Sequence, residues 1–205
     1  MSERFIKGLH AELSFKGEYA SLEPLSISHA AALGAAACDG RLWELPFTNV
    51  PRADINLKEV ERLIIDTLAQ RENGTQLPFV VRRLRDNKIV GTTRFYAIEA
   101  QHRNLSIGYT WYAKSAQRTA LNTECKYMLL KHAFESLGCI SVQWHIHHDN
   151  LASQKAVERL GAIKEGVLRN HKIMRDGSYR HTHCYSMLDT EWEKSKAFLE
   201  QSLSK

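Results

Sequence analysis

The order of patterns along this chain predicts an α+β (mixed α/β) domain, with a mixed sheet carrying helices on both faces. Three observations carry that reading. Strand patterns come first as a meander, with Arg85-Asp86-Asn87 as a hairpin signature between Pro78–Leu84 and Lys88–Ile98. Strands and helices then alternate in the second half of the chain. Between the two halves, residues 107–124 read as a strand, a small polar turn and the start of a helix.

In order, Leu9–Phe15 and Glu18–Pro24 read as strands around Lys16-Gly17. Ser28 is placed to cap a helix running through the alanine-rich segment to about Cys38, and Asp39-Gly40 ends it. Arg41–Arg52 is irregular. A second helix, roughly Asn56–Gln70, puts Val60, Leu63, Ile64 and Leu68 on one face and stops at Asn73-Gly74. After the hairpin strands, Leu105–Ala113 is aromatic and β-branched. Its helix runs from about Ala120 to Leu137, with Leu121, Cys125, Met128, Leu129 and Ala133 at helical spacing and Gly138 as the stop. Ser141–His147 is a strand, and Asp149-Asn150 opens the helix Leu151–Leu160, closed by Gly161. Ile163–Met174 and Tyr179–Leu188 are strands across Arg175-Asp176-Gly177-Ser178, and a helix from about Thr190 to Leu203 completes the domain.

All 205 residues are read as a single domain, long enough for a full core. Apolar content of 43% and charged content of 25% are those of an ordinary globular protein. No apolar run reaches membrane-span length, and the first residues lack the apolar core of a signal peptide. Cys38, Cys125, Cys139 and Cys184 are scattered without a C-x-x-C pair and are read as buried, reduced thiols of a cytoplasmic protein. The net charge of +5 would attract a multiply anionic ligand. A nucleic-acid role lacks an aromatic-plus-basic recognition motif.

The turn before the central helix aims several backbone N–H groups at one point, and the helix dipole adds positive potential there. Such a nest suits a pyrophosphate. Gln117-Arg118-Thr119-Ala120-Leu121-Asn122 resembles the Q/R-x-x-G-x-G/A loop of the GNAT acyltransferases, with Ala120 and Asn122 where that pattern prefers glycine or alanine. Downstream, the run from Asn150 to Ala162 resembles the family's N-x-x-S-x-x-x-x-E-[KR]-L-G-[FA] segment. Order and separation both fit, over roughly residues 10–190, and the nearest branch is the one with the ribosomal-protein N-terminal acetyltransferases. The resemblance implies one acyl-CoA N-acyltransferase-like domain. Its mostly antiparallel central sheet would hold about seven strands. The fourth and fifth strands, in the family's count, would splay so that the pantetheine arm of coenzyme A bonds to strand edges.

The function so implied is transfer of acetyl from acetyl-CoA, as co-substrate, to a primary amine of a protein N-terminus or a small molecule, directly in a ternary complex. The resemblance assigns cofactor contacts to Trp111, Tyr112, Gln117, Arg118, Thr119, Ala120, Asn122, Thr123, Asn150 and Ser153. A backbone N–H of Thr110-Trp111-Tyr112 would polarise the thioester. The tyrosine that many members use for the leaving thiolate would fall at Val157, so Ser153 is the candidate acid, or a simple cofactor contact. For the base, the branch's glutamate position holds Lys172. Glu44 is the candidate, followed by His171 and Glu165. The alternative is an acyl-CoA-binding module without catalysis.

His145/His147 and His181/His183 are H-x-H pairs on strands, each with both members on one face. If those strands are neighbours, the four imidazoles could gather round a metal, or simply line a groove; no metal is assigned. The partners expected are acetyl-CoA and an amine, with no membrane. Monomer and homodimer both stay open.

Overall fold

A computed structural model of the chain describes residues 13–45, 47–48, 50–52, 56–174 and 176–204. Eight strands form one sheet in the order β1-β2-β3-β4-β5-β6-β8-β7. They are β1 (Phe15–Lys16), β2 (Ala20–Pro24), β3 (Gln76–Arg83), β4 (Lys88–Glu99), β5 (Asn104–Tyr112), β6 (Ser141–His147), β7 (Ile163–Ile173) and β8 (Tyr179–Leu188). Among the described residues, five α-helices accompany them: α1 (Ala30–Cys38), α2 (Leu57–Glu72), α3 (Ala120–Lys131), α4 (Leu151–Arg159) and α5 (Asp189–Leu203). The count exceeds the expected seven strands because β1 is a two-residue stub paired with β2. The first half of the strand expected at Leu9–Phe15 lies outside the described residues.

Pairing is antiparallel except between β5 and β6. Alternation along β3 sorts the two faces. Val80 points to α1 and α2, packing with Leu33, Val60 and Ile64. Phe79 and Val81 point the other way, into a larger core with Leu121, Cys125 and Leu129 of α3, Val157 of α4 and Trp192 and Leu199 of α5. Helices therefore cover both faces, as expected of a sheet with two apolar sides.

Several local expectations shift. Ser26, not Ser28, caps the first helical segment, because His29 completes a capping box with it and a 3-10 turn, Ile27–His29, precedes α1. On α2, Leu63 is exposed, and Thr67 joins Val60 and Ile64 inside. The central helix changes to a π-helical segment at His132–Leu137 and stops at Gly138, whose φ of 71° is the left-handed cap the sequence signals. Cys125 and Cys139 are buried, but Cys38 is exposed and Cys184 only half-buried; all four are free. No described helix is long and apolar enough to cross a membrane.

The feature that positions the site is the β5–β6 junction. These parallel strands pair only at Asn104↔Ser141, Leu105↔Val142 and Ser106↔Gln143. Beyond Ser106 and Gln143 both strands continue, β5 held by β4 and β6 by β8, with no pairing between them. The sheet splays into a V whose β5 wall offers an unpaired backbone edge. A bulge in that wall places Tyr109 and Thr110 opposite the single residue Thr93, and Tyr109 takes a φ of 50°.

Candidate active site

Where β5 ends, the chain turns through a 3-10 segment, Lys114–Ala116, into α3. Asp39 pins this loop, accepting the Lys114 N–H on its carbonyl at 2.9 Å and the Ser115 N–H on its carboxylate at 3.2 Å. Gln117 Nε2 donates to the Tyr112 carbonyl at 2.9 Å. Arg118 adopts a φ of 58°, which swings the backbone into the helix start. Thr119 caps that start, its hydroxyl accepting the Leu121 N–H at 3.4 Å. The first turn of α3 holds no acidic side chain, so its free amides and the positive end of the dipole are unopposed. Arg159 of α4 sits beside this turn, its guanidinium 3.3 Å from the Thr123 hydroxyl. A hollow of about 160 Å3 opens at the same corner, lined by Ala120, Thr123 and Arg159 with Phe198 and Leu199.

On the other wall, β6 runs into α4. Asn150 caps that helix, its Oδ1 accepting the Ser153 N–H at 3.0 Å. The Ser153 hydroxyl, half-buried, makes no hydrogen bond among the described residues. Val157, at the family's tyrosine position, is 4% exposed and belongs to the core.

A profile described as an acetyltransferase (GNAT) domain matches residues 21–163, well over half of the chain. The chain belongs to the GNAT acetyltransferase family. The uncharacterized N-acetyltransferase YoaA of Bacillus subtilis is 28% identical over 138 residues, spanning 65% of this chain and 76% of that protein. A GCN5-related N-acetyltransferase from Brucella melitensis superposes with a TM-score of 0.83 at 26% identity, covering 93% of this chain and 85% of that one. RimL, the ribosomal L7/L12 alpha-N-protein acetyltransferase, solved with coenzyme A, shares the fold at a TM-score of 0.73 and 17% identity, covering 86% and 98%. This GNAT protein is thus an acetyl-CoA-dependent N-acetyltransferase, and its mixed sheet is the family's.

Against this frame the site residues expected from sequence divide. Gln117, Arg118, Thr119, Ala120, Asn122 and Thr123 come together at the α3 start, and Asn150 and Ser153 at the α4 start. Tyr112 turns its ring into the core beside Cys125. Trp111 packs against the α1–α2 side. Glu44 lies on an exposed 3-10 turn and is paired with Arg41 at 2.5 Å. Its loop does border the V: Trp43 and Trp111 pack on one cluster, and the Phe47 ring lies 5.8 Å from that of His147. His171 and Glu165 are on β7, bonded respectively to Thr182, at 3.0 Å, and to the Ser186 hydroxyl.

The four imidazoles of the two H-x-H pairs do not meet at one point, although the His148 ring lies 4.3 Å from that of His147 and 4.9 Å from that of His181. β6 and β8 are neighbours, but the register sets His145 against Cys184 and His147 against Thr182. Directly opposed residues share a face, so His181 and His183 point to the other side. His183 instead bonds Gln154 of α4 at 2.9 Å. His147, His148 and Asp149 bring ligand-type atoms within 4.8 Å of one another, yet His147 Nδ1 already accepts the Asp149 N–H at 3.1 Å.

Two features escape the sequence reading. On the face of β4, β5, β6 and β8 opposite α3, polar side chains form a stripe. Arg94 lies 4.3 Å over the Tyr109 ring, and the Tyr96 hydroxyl meets His145 Nδ1 at 3.2 Å. Arg180 donates to Thr182 at 3.0 Å and to the His145 carbonyl at 3.0 Å. Gly108 makes room for the Tyr96 ring, which a Cβ there would meet at 2.7 Å. Burial pushes Tyr96 up to about 12, so it stays a phenol. Burial first, then the charges of His171, Arg180 and Lys172, lowers His145 and keeps its imidazole neutral. The signal was the alternation Arg94-Phe95-Tyr96, which commits both polar residues to the face that Phe95 leaves.

The second feature is Lys126. With Leu129, Leu130 and Ala133 it fits the i, i+3, i+4, i+7 template of the apolar face, and it is 5% exposed. Its Nζ donates to Thr93 at 3.0 Å and to Thr110 at 2.6 Å, tying α3 to both strands at the bulge. Burial lowers its pKa from 10.5 to about 8. The unfolded chain keeps this proton to higher pH, so it binds more protons between about pH 8 and 10.5, and stability gains a rising contribution across that window. The gain is on the order of 3 kcal/mol. Denaturant melts of wild type and Lys126→Met at pH 8 and pH 10.5 check this. The wild-type-minus-variant stability should rise with pH; a flat difference would mean that the ammonium is stabilised as well inside as in water.

Proposed function

We propose that the protein transfers acetyl from acetyl-CoA directly to a primary amine, of a protein N-terminus or a small molecule, in a ternary complex. The observation that carries this is the V between β5 and β6, open beyond Ser106 and Gln143 onto an α3 start free of acidic residues. An extended amide chain can bond to the free edge of β5 as an added strand would. A pyrophosphate suits the α3 amides, with Arg118 and Arg159 as nearby cations. These residues therefore fit coenzyme A.

Bound acetyl-CoA would supply an activated thioester carbonyl. On this reading, a backbone N–H of Thr110–Tyr112 holds the carbonyl oxygen, Asn150 orients the pantetheine arm, and Ser153 passes a proton to the departing thiolate while taking one back from solvent. Glu44 stays a candidate to receive the amine proton; His145, neutral and on the opposite face of the sheet from α3, joins it. Direct transfer is favoured by the state of the thiols. Cys125 is buried and pushed up to about 12, as is Cys139, so neither is a ready nucleophile.

Acetyl-CoA at about 100 times its dissociation constant should stabilise the fold by about 2.7 kcal/mol. For a chain of this size that is a melting-temperature rise of roughly 5–10 °C. Thiol release should then depend on an added amine. An unchanged melt together with no calorimetric heat would refute the reading.

A further inference from the structure

We infer that the amine acceptor carries a carboxylate, and that Arg94 and Arg180, on the sheet face opposite α3, hold it. The inference rests on the acetyl-transfer reading above. Neither guanidinium has a carboxylate partner among the described residues. Arg94 donates one N–H to Gln76 Oε1 at 2.6 Å and stacks on Tyr109, while its Nε is out of reach of solvent and unbonded. Arg180 spends two donors on neutral oxygens, the Thr182 hydroxyl and the His145 carbonyl. Lys172 adds positive potential to the same place, since it acts with Arg180 on His145. Glu165, the nearby acid on β7, is bonded to the Ser186 hydroxyl.

A guanidinium drawn out of water without a counter-charge is costly, and burial accordingly depresses both Arg94 and Arg180. Two other arginines drawn out of water are matched, the half-buried Arg82 by Glu23 and the buried Arg83 by Asp86, each at 2.7 Å. The exception coincides with the face through which an acceptor would approach the V. A planar carboxylate takes parallel N–H donors from a guanidinium and supplies the missing charge. The same positive surroundings disfavour the ammonium form of the acceptor, so they raise the share of neutral amine available for attack. That lightens the task of the general base, whether Glu44 or His145.

The test is thiol release from acetyl-CoA with the common amino acids, each paired with its own carboxamide, and with phosphoethanolamine as the phosphate arm. At least one amino acid should exceed its amide by about 10–100-fold in kcat/KM, mainly through KM. Arg94→Gln and Arg180→Gln should each erode that preference, and Arg180→Lys should keep part of it. The KM for acetyl-CoA and the melting temperature of each variant report whether the cofactor site and the fold are intact. Amides used as well as acids, a preference for phosphoethanolamine, a preference unchanged in both glutamine variants, or acetyl-CoA binding with no acceptor in the panel would each overturn the assignment. Failure of acetyl-CoA to bind at all would instead strike the reading on which it rests.

Discussion

Replacing Ser153 by alanine is expected to slow acetyl transfer by about 10²–10⁴-fold while leaving the affinity for coenzyme A within a few-fold of wild type. The family resemblance makes Ser153 the candidate acid, and its surroundings leave the hydroxyl available for that role. The family's tyrosine position is Val157, which is sealed in the core at 4% exposure. Helix capping, the ordinary structural use of a serine at such a place, falls to Asn150 instead. The Ser153 hydroxyl is therefore uncommitted among the described residues, one turn into the helix that borders the β6 wall. A thiol of ordinary pKa near ~8.5 leaves far more readily if a hydroxyl can donate to it as the bond breaks. Single-turnover rates and coenzyme A titrations on the same variant separate the two roles. Lost affinity with an unchanged rate would make Ser153 a cofactor contact, and no change in either would leave solvent as the proton source.

Glu124→Ala should destabilise the fold by about 3–5 kcal/mol, or roughly 10 °C or more in melting temperature. This carboxylate is buried on α3 and accepts three consecutive backbone N–H groups, from Glu18 at 2.6 Å, Tyr19 at 2.8 Å and Ala20 at 2.8 Å. It is what fastens the β1–β2 turn to α3. Alanine would leave those donors with no acceptor, partly relieved by water at Glu18 and Tyr19. Gly17 belongs to the same device, because a Cβ there would overlap the Glu124 carboxyl group. Gly17→Ala should thus cost a similar amount, and the double variant should cost much less than the sum of the two. Additive losses would mean that the contact does not hold the turn. Circular dichroism melts of the four proteins decide between these outcomes.

Residues 107–124 show what a local stretch determines unaided. A β-branched, aromatic strand, a small polar turn and a capped helix depend on neighbours within a few residues, so their propensities suffice. The same holds for the Asn150 cap of α4, for the Gly138 stop and for the β3–β4 hairpin. The capped turn before α3 was therefore legible from its own residues, as was the mixed sheet from the order of its elements. Glu124 was not, because its partners lie more than 100 positions away. Lys126 has the polarity of a surface residue, and only the packing of α3 on the Thr93/Thr110 bulge gives its ammonium acceptors inside the protein. The histidine pairs needed the β6–β8 register, where a shift of one residue exchanges faces. Arg94, Tyr96, His145 and Arg180 come from three strands, and a shared face across a sheet exists only once those strands are paired. Propensity settled the elements, the turn before α3 and the cap at Asn150. The register and packing of distant segments settled which charges lie buried and which face each other, and with them the surface offered to the acceptor.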